Sequence, residues 1–160
     1  MEQWNKAAMV KHIWYLCSDA SNSIWATWVR SYMMKDKNFW QLKCPGDCSW
    51  GWRKILKLRN LVRDKMRYRV GDGKDISLWY DNWDPLGPLA IRFGERIIYD
   101  GGLGSNAKVE AIVADKEWKW PAAQSMAWLE VKQATPEDFK PDSYRKDTLR
   151  WVEDPKGRFT

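Results

Sequence analysis

Thirteen tryptophans in 160 residues constrain this chain more than any other feature. Six tyrosines and four phenylalanines add to them. Each large ring buries on the order of 150–250 Å2, so a few suffice to build a small core without disulfides. Most of these rings are therefore expected to be packing. Any ring left on the surface becomes a candidate for contact with a partner. Hydrophobic residues at 44% and charged residues at 30% argue against wholesale disorder, and the length suits one domain or one domain with a tail.

Charge is the second constraint. The formal net charge is +6, but residues 53–69, RKILKLRNLVRDKMRYR, hold eight basic groups against one acid. That block alone carries +7, which leaves about −1 for the rest. Such density points to a polyanion, most often nucleic acid. Three cysteines are an odd number, no secretory leader is legible, and no apolar run approaches a membrane span. The chain reads as intracellular and reduced, with nothing to separate nucleus from cytosol, and as having no membrane partner.

Periodicity predicts three helices over 5–69. The first, 5–17, has Ala7, Ala8, Val10, Ile13 and Trp14 as its apolar face. SDASNS (18–23) is a loop with Ser23 as a cap. IWATWVRSYMM follows as a second helix with a buried stripe of Ile24, Trp25, Trp28, Val29 and Tyr32. After the CPGD turn, Ser49 caps a basic amphipathic helix whose apolar face is Trp52, Ile55, Leu58, Val62 and Met66. Alternation on either side of GDGKD predicts a β-hairpin over about 67–83, with the glycines supplying positive φ at its turn. DPLGPLAIRFG reads as extended, YDGGLGSNA as a loop, and 121–160 as too poor in apolar residues to form a core alone. The expected class is α+β: a small helical subdomain, a hairpin, and a loosely ordered C-terminal segment. The expected division is 1–90 and 91–160.

Catalytic signals are weak. Gly71-Asp72-Gly73-Lys74 is followed by Asp75 and a β-like run, neither a Walker loop nor a dinucleotide loop. Asp72, Asp75, Asp81 and Asp84 contain no adjacent pair of the kind two-metal catalysis uses, and read as solvated turn or strand-end acids. Cys17, Cys44, Cys48 and the lone His12 have an unconvincing spacing for zinc. One histidine and no nucleophile elbow leave nucleophilic catalysis unanchored. We therefore expect no catalytic residue, no metal and no cofactor. The candidate nucleic-acid-binding residues are Arg53, Lys54, Lys57, Arg59, Arg63, Lys65, Arg67 and Arg69, which could neutralise phosphates while exposed rings stack on bases. The preferred partner is RNA or DNA, and self-association through exposed tryptophans is the alternative.

Several phrases together are more specific than any motif. NKAAMVKHIWYLCSDASNSIWATWVRSYMMKDKNFW, CSWGWRKILKLRNL, YRVGDGKDISLWYDNWDPLGPL and DTLRWVEDPKGRFT resemble the C-terminal part of plant non-LTR (LINE-type) retrotransposon reverse transcriptases. The stretch resembled is the connector between the polymerase thumb and the reverse transcriptase zinc-binding region. The most distinctive positions are Trp50 and Trp52, Gly71 and Gly73, Trp79-x-Asp81-x-Trp83, and Pro88-Leu89. The resemblance implies a role in gripping the template or target. It carries over no catalytic aspartate, because the YxDD motif lies upstream in that family. It also implies that Cys44 and Cys48 are not the family's zinc ligands, which follow a segment like 147–160. On this reading the chain is a non-catalytic reverse-transcriptase fragment; a structural module or a relic reading frame is the alternative.

Overall fold

The computed structural model describes residues 2–18, 22–35, 37–122 and 124–159. Residues 19–21 of the expected first loop lie outside them. In chain order the elements are α1 (Glu2–Cys17), α2 (Ile24–Val29), α3 (Trp50–Val62), β1 (Met66–Arg69), α4 (Leu89–Phe93), α5 (Arg96–Gly101), β2 (Val113–Ala114), β3 (Glu117–Trp118), α6 (Met126–Ala134) and β4 (Thr148–Trp151). β1 pairs with β4 and β2 with β3, giving two small two-stranded sheets. The α+β class is as the sequence leads one to expect. The chain divides into two compact units, Met1–Met66 with Leu149–Thr160, and Arg67–Thr148. The expected boundary near residue 90 falls inside the second of these.

In the first unit, helix starts are set by serine caps. Ser23 Oγ accepts from Ala26 N–H at 3.3 Å, and Ser49 Oγ from Trp52 N–H at 3.3 Å. Each satisfies a donor that the first helical turn leaves over. α2 continues as a π-helical turn over Arg30–Met34. The other end of α1 is closed from outside. The Arg30 guanidinium donates to the carbonyls of Tyr15 at 2.6 Å, Leu16 at 3.2 Å and Ser18 at 2.8 Å. A cation at a helix C-terminus also meets the negative end of the dipole.

Two expected apolar faces are corrected. α1 buries Ile13 and Leu16, while Ala7 and Ala8 are exposed. Of the expected stripe in α2, Val29 is buried and Trp25 half-buried against His12, but Ile24 is 87% exposed, Trp28 50% and Tyr32 67%, and Ala26 is buried in their stead. The inward face is the one that carries Arg30 toward α1, and the larger side chains are turned out. The C-terminal return supplies the missing rings. Trp14 stacks on Phe159 with centroids 5.7 Å apart, and Phe159 meets Trp151 edge-on at 4.9 Å. Residues 149–159 are thus part of this unit's packing, not an irregular lead-out.

The second unit is built around tryptophan. Trp79, Trp83 and Trp128 are fully buried with Ile76, Leu78, Leu89, Ile97, Val109, Ile112 and Val131. Trp79 meets Trp128 edge-on, Trp128 meets Trp120, Trp120 stacks on Trp118, and Trp118 meets Trp83 and Phe139. Indole N–H groups find carbonyls: Trp79 donates to Gly104, Trp83 to Leu78 and Trp118 to Phe139, at 2.7, 3.0 and 2.7 Å. A buried ring loses little when its one donor is satisfied. The loose segment expected after residue 91 is therefore half of this core, and Leu89–Phe93, read as extended, is α4.

No hairpin forms over 67–83. β1 forms where its alternation lies, but its partner is β4, and 78–80 are turn residues. The reason lies in two carboxylates. Asp147, buried, accepts from Gly71 N–H at 2.7 Å, Gly73 N–H at 2.9 Å and Asp75 N–H at 3.1 Å. Asp81, also buried, accepts from Ser77 N–H at 2.7 Å and curls the following segment. The glycines serve close approach. A Cβ on Gly71 would run into the Arg145 carbonyl, and Gly73, at φ +76°, lies against the backbone of Val109 and Glu110. Asp81 and Asp84 are not solvated strand-end acids; both are buried.

Candidate nucleic-acid interface

The basic block divides by where the helix turns each residue. α3 buries Trp52, Ile55, Leu56 and Val62. Met66, expected on the same face, is buried from β1 instead, and Leu58 is only half-buried. Trp50, Arg53, Lys54, Lys57 and Leu61 recur at i, i+3, i+4, i+7 and i+11, which is one face of a helix. That face points outward. Trp50 is 66% exposed and Leu61 57%, and Arg53 and Lys57 are exposed with them. The Lys54 ammonium stands 4.8 Å above the Trp50 ring. Such a cation over an indole holds the ring at the surface and the charge beside it.

Other residues of the block face inward or are engaged. Arg59 falls within the buried arc, donates to the Phe39 carbonyl at 2.7 Å and lies over the Phe39 ring; its half-burial pulls the guanidinium below its ordinary pKa. The Arg63 guanidinium lies 4.7 Å from the Trp40 centroid. Lys65 pairs with Glu153 at 2.8 Å, and that lysine holds the Glu153 carboxyl below the usual carboxylate range. Arg67 and Arg69 are exposed and belong to the second unit, where Arg67 donates to the Asp84 carbonyl at 3.1 Å. Of the eight candidates, Arg53, Lys54 and Lys57 share one outward helix face.

Trp50 was not among the candidate residues. Its signal was the i, i+4 spacing to Lys54 outside the apolar stripe. The cysteines offered another. Pro45–Cys48 is a turn, with Cys48 N–H donating to the Pro45 carbonyl at 3.4 Å, and it brings Cys44 Sγ to 3.0 Å from Cys48 Sγ. Arg53 donates to the Gly46 carbonyl at 3.2 Å, which ties this turn to α3. Among the described residues, no group of three or more histidine, cysteine or acidic side chains is placed to hold a metal ion. Cys17 and His12 do not complete a site with the cysteine pair.

The GDG loop has its own anion. Its amides converge as they would on a phosphate, but the Asp147 carboxylate fills the place. Among the described residues, no helix is long and apolar enough to cross a membrane. In comparison with known proteins, the chain matches no protein-family model, no curated protein and no solved structure.

Proposed function

We propose that the chain is a non-catalytic, nucleic-acid-associated segment of the LINE-type reverse transcriptase kind, gripping RNA or DNA through α3. The observation that carries this reading is the outward face of α3, where Trp50 and Leu61 flank Arg53, Lys54 and Lys57. Closely spaced cations neutralise phosphates, and a ring held upright by a lysine can stack on an unpaired base. Single-stranded nucleic acid suits the face best, because stacking needs bases that are not already stacked. The long-phrase resemblance to the connector of those enzymes supports the same role.

The test is a titration with single-stranded RNA, single-stranded DNA and duplex DNA at two salt concentrations, followed by tryptophan fluorescence. Binding should weaken with salt, and Lys54→Glu with Lys57→Glu should lower the log–log slope by about one unit per lysine. Trp50→Ala should weaken single-strand binding by about 1–3 kcal/mol and leave the salt slope unchanged. A folded chain that binds none of these, or binds equally after the lysine reversals, would refute the reading.

A second reading has its own observation. Trp28 and Tyr32 stack on each other at 5.7 Å and stand exposed. A paired aromatic surface of that kind suits a protein partner or a second copy. Sedimentation that stays strictly monomeric over a wide concentration range would remove self-association from consideration.

A further inference from the structure

The CPGDC turn carries chemistry that the nucleic-acid reading does not use. Cys44 and Cys48 are free thiols in the first unit, with Cys44 exposed and Cys48 half-buried. Their sulfurs are 3.0 Å apart, and the Pro45–Cys48 turn holds them there. Closing that gap to about 2.05 Å is all that a disulfide requires in sulfur–sulfur distance. Arg53 ties the turn to α3 through the Gly46 carbonyl, so the pair sits on a braced loop.

We propose that Cys44 and Cys48 form a reversible dithiol–disulfide site whose substrates are small aliphatic disulfides, with Cys48 as the attacking sulfur and Cys44 as the resolving one.

The division of labour follows from what each sulfur faces. Cys48 lies one residue before the Ser49 cap of a thirteen-residue helix, where the positive end of the dipole favours a thiolate. The Arg53 guanidinium lies beside both sulfurs and favours the thiolate of either. The hydrogen bond from Cys44, followed by Arg53, draws the Cys48 thiol below its ordinary value. The same hydrogen bond pushes the Cys44 thiol up, which leaves Cys48 the more readily formed thiolate of the pair.

The exchange balances in two steps. The Cys48 thiolate attacks one sulfur of the small disulfide. A protein–small-molecule disulfide forms, the original S–S bond breaks, and one small thiolate leaves and takes a proton from water. Cys44 then gives its proton to solvent and attacks the Cys48 sulfur. The intramolecular disulfide forms and the second small thiolate departs and is protonated. Two protein thiols are oxidised and one small disulfide is reduced to two thiols. A sulfur held at contact distance acts as a very high local concentration of thiol, so the second step outruns the arrival of another reductant.

The test uses the full chain with oxidised glutathione, quenched by alkylation and read by peptide mass spectrometry. The wild type is expected to lose two hydrogens from the peptide spanning 44–48 and to carry no lasting glutathione on either cysteine. Cys44→Ser is expected to retain one glutathione on Cys48. Cys48→Ser is expected to react at Cys44 at least roughly tenfold more slowly, since the favoured thiolate is gone. Far-UV circular dichroism of both serine variants checks that α1 to α3 remain. A stable glutathione adduct on wild-type Cys48 would overturn the proposal, as would a disulfide-linked dimer on a non-reducing gel. So would two cysteines that remain fully alkylatable after prolonged incubation.

Discussion

The two units differ in how many of their tryptophans reach the surface: the first buries Trp40 and Trp52 but leaves others in solvent, and the second packs its rings together. In Arg67–Thr148 the rings form one connected cluster, with the indole donors of Trp79, Trp83 and Trp118 turned onto backbone carbonyls. In the first unit Trp4, Trp28 and Trp50 stand in solvent, and one of them carries a lysine over its face. In the first unit the same residue type is both packing and surface. The buried indole N–H groups of Trp79, Trp83 and Trp118 have carbonyl acceptors, that of Trp128 is buried without one, and an exposed indole has water.

Three measurements test that difference. The largest effect should come from Asp147→Ala. It leaves the amides of Gly71, Gly73 and Asp75 without their acceptor, which should cost about 3–5 kcal/mol of the second unit's stability. Urea unfolding followed by near-ultraviolet circular dichroism would report the loss through the tryptophan cluster. Stability unchanged within about 0.5 kcal/mol would show that the carboxylate is incidental to the loop.

A smaller effect is written in pH. Burial pushes the Asp84 carboxyl up to about 6, opposed by the Leu86 amide and the Arg67 charge, and its Oδ2 has no hydrogen-bond partner. The folded-state value lies above the unfolded one, so the folded chain holds this proton more tightly. The contribution is fully present below about pH 4 and is lost as pH rises through 6, a change of about 3 kcal/mol at most. Asp84→Asn should flatten that part of the stability–pH curve measured by urea titration from pH 4 to 7. An identical slope in the variant would place the titration elsewhere.

The third test moves to the first unit. Arg30→Ala removes three hydrogen bonds to the end of α1 and should cost about 1–2 kcal/mol. The tryptophan signal of the second unit should be undisturbed. Loss of both signals in one step would show that the units unfold together.

What was legible in the sequence was local. α3, its Ser49 cap and the apolar positions Trp52, Ile55 and Val62 follow from period and capping chemistry, whose partners lie within four residues. The α+β class followed as well. The site was half legible: the charge run marked the helix, but only the helical turn separates outward Lys54 and Lys57 from inward Arg59. What misled was the alternation around GDGKD, which implied a strand pair next door. The carboxylate that organises that loop is 76 residues away from Gly71, and the partner of β1 is more distant than the hairpin reading allowed. The stripe in α2 failed for another reason. Ile24, Trp28 and Tyr32 have the spacing of a core face, yet the side of α2 that packs inward is fixed by the reach of Arg30 to α1.

The embrace of Asp147 by its glycine loop also sets an order of events during synthesis. The amides of residues 71, 73 and 75 leave the ribosome more than seventy residues before their acceptor does. Until then the loop must stay hydrated, and the tryptophans beside it have no closed core to enter. Trp14 waits longer still, for Phe159. Both units therefore rest on contacts between residues far apart in sequence. Contacts of such long sequence separation slow folding and lengthen the exposure of apolar rings. A chain truncated before residue 147 should accordingly be degraded faster by added protease than the chain that includes residues 147–159.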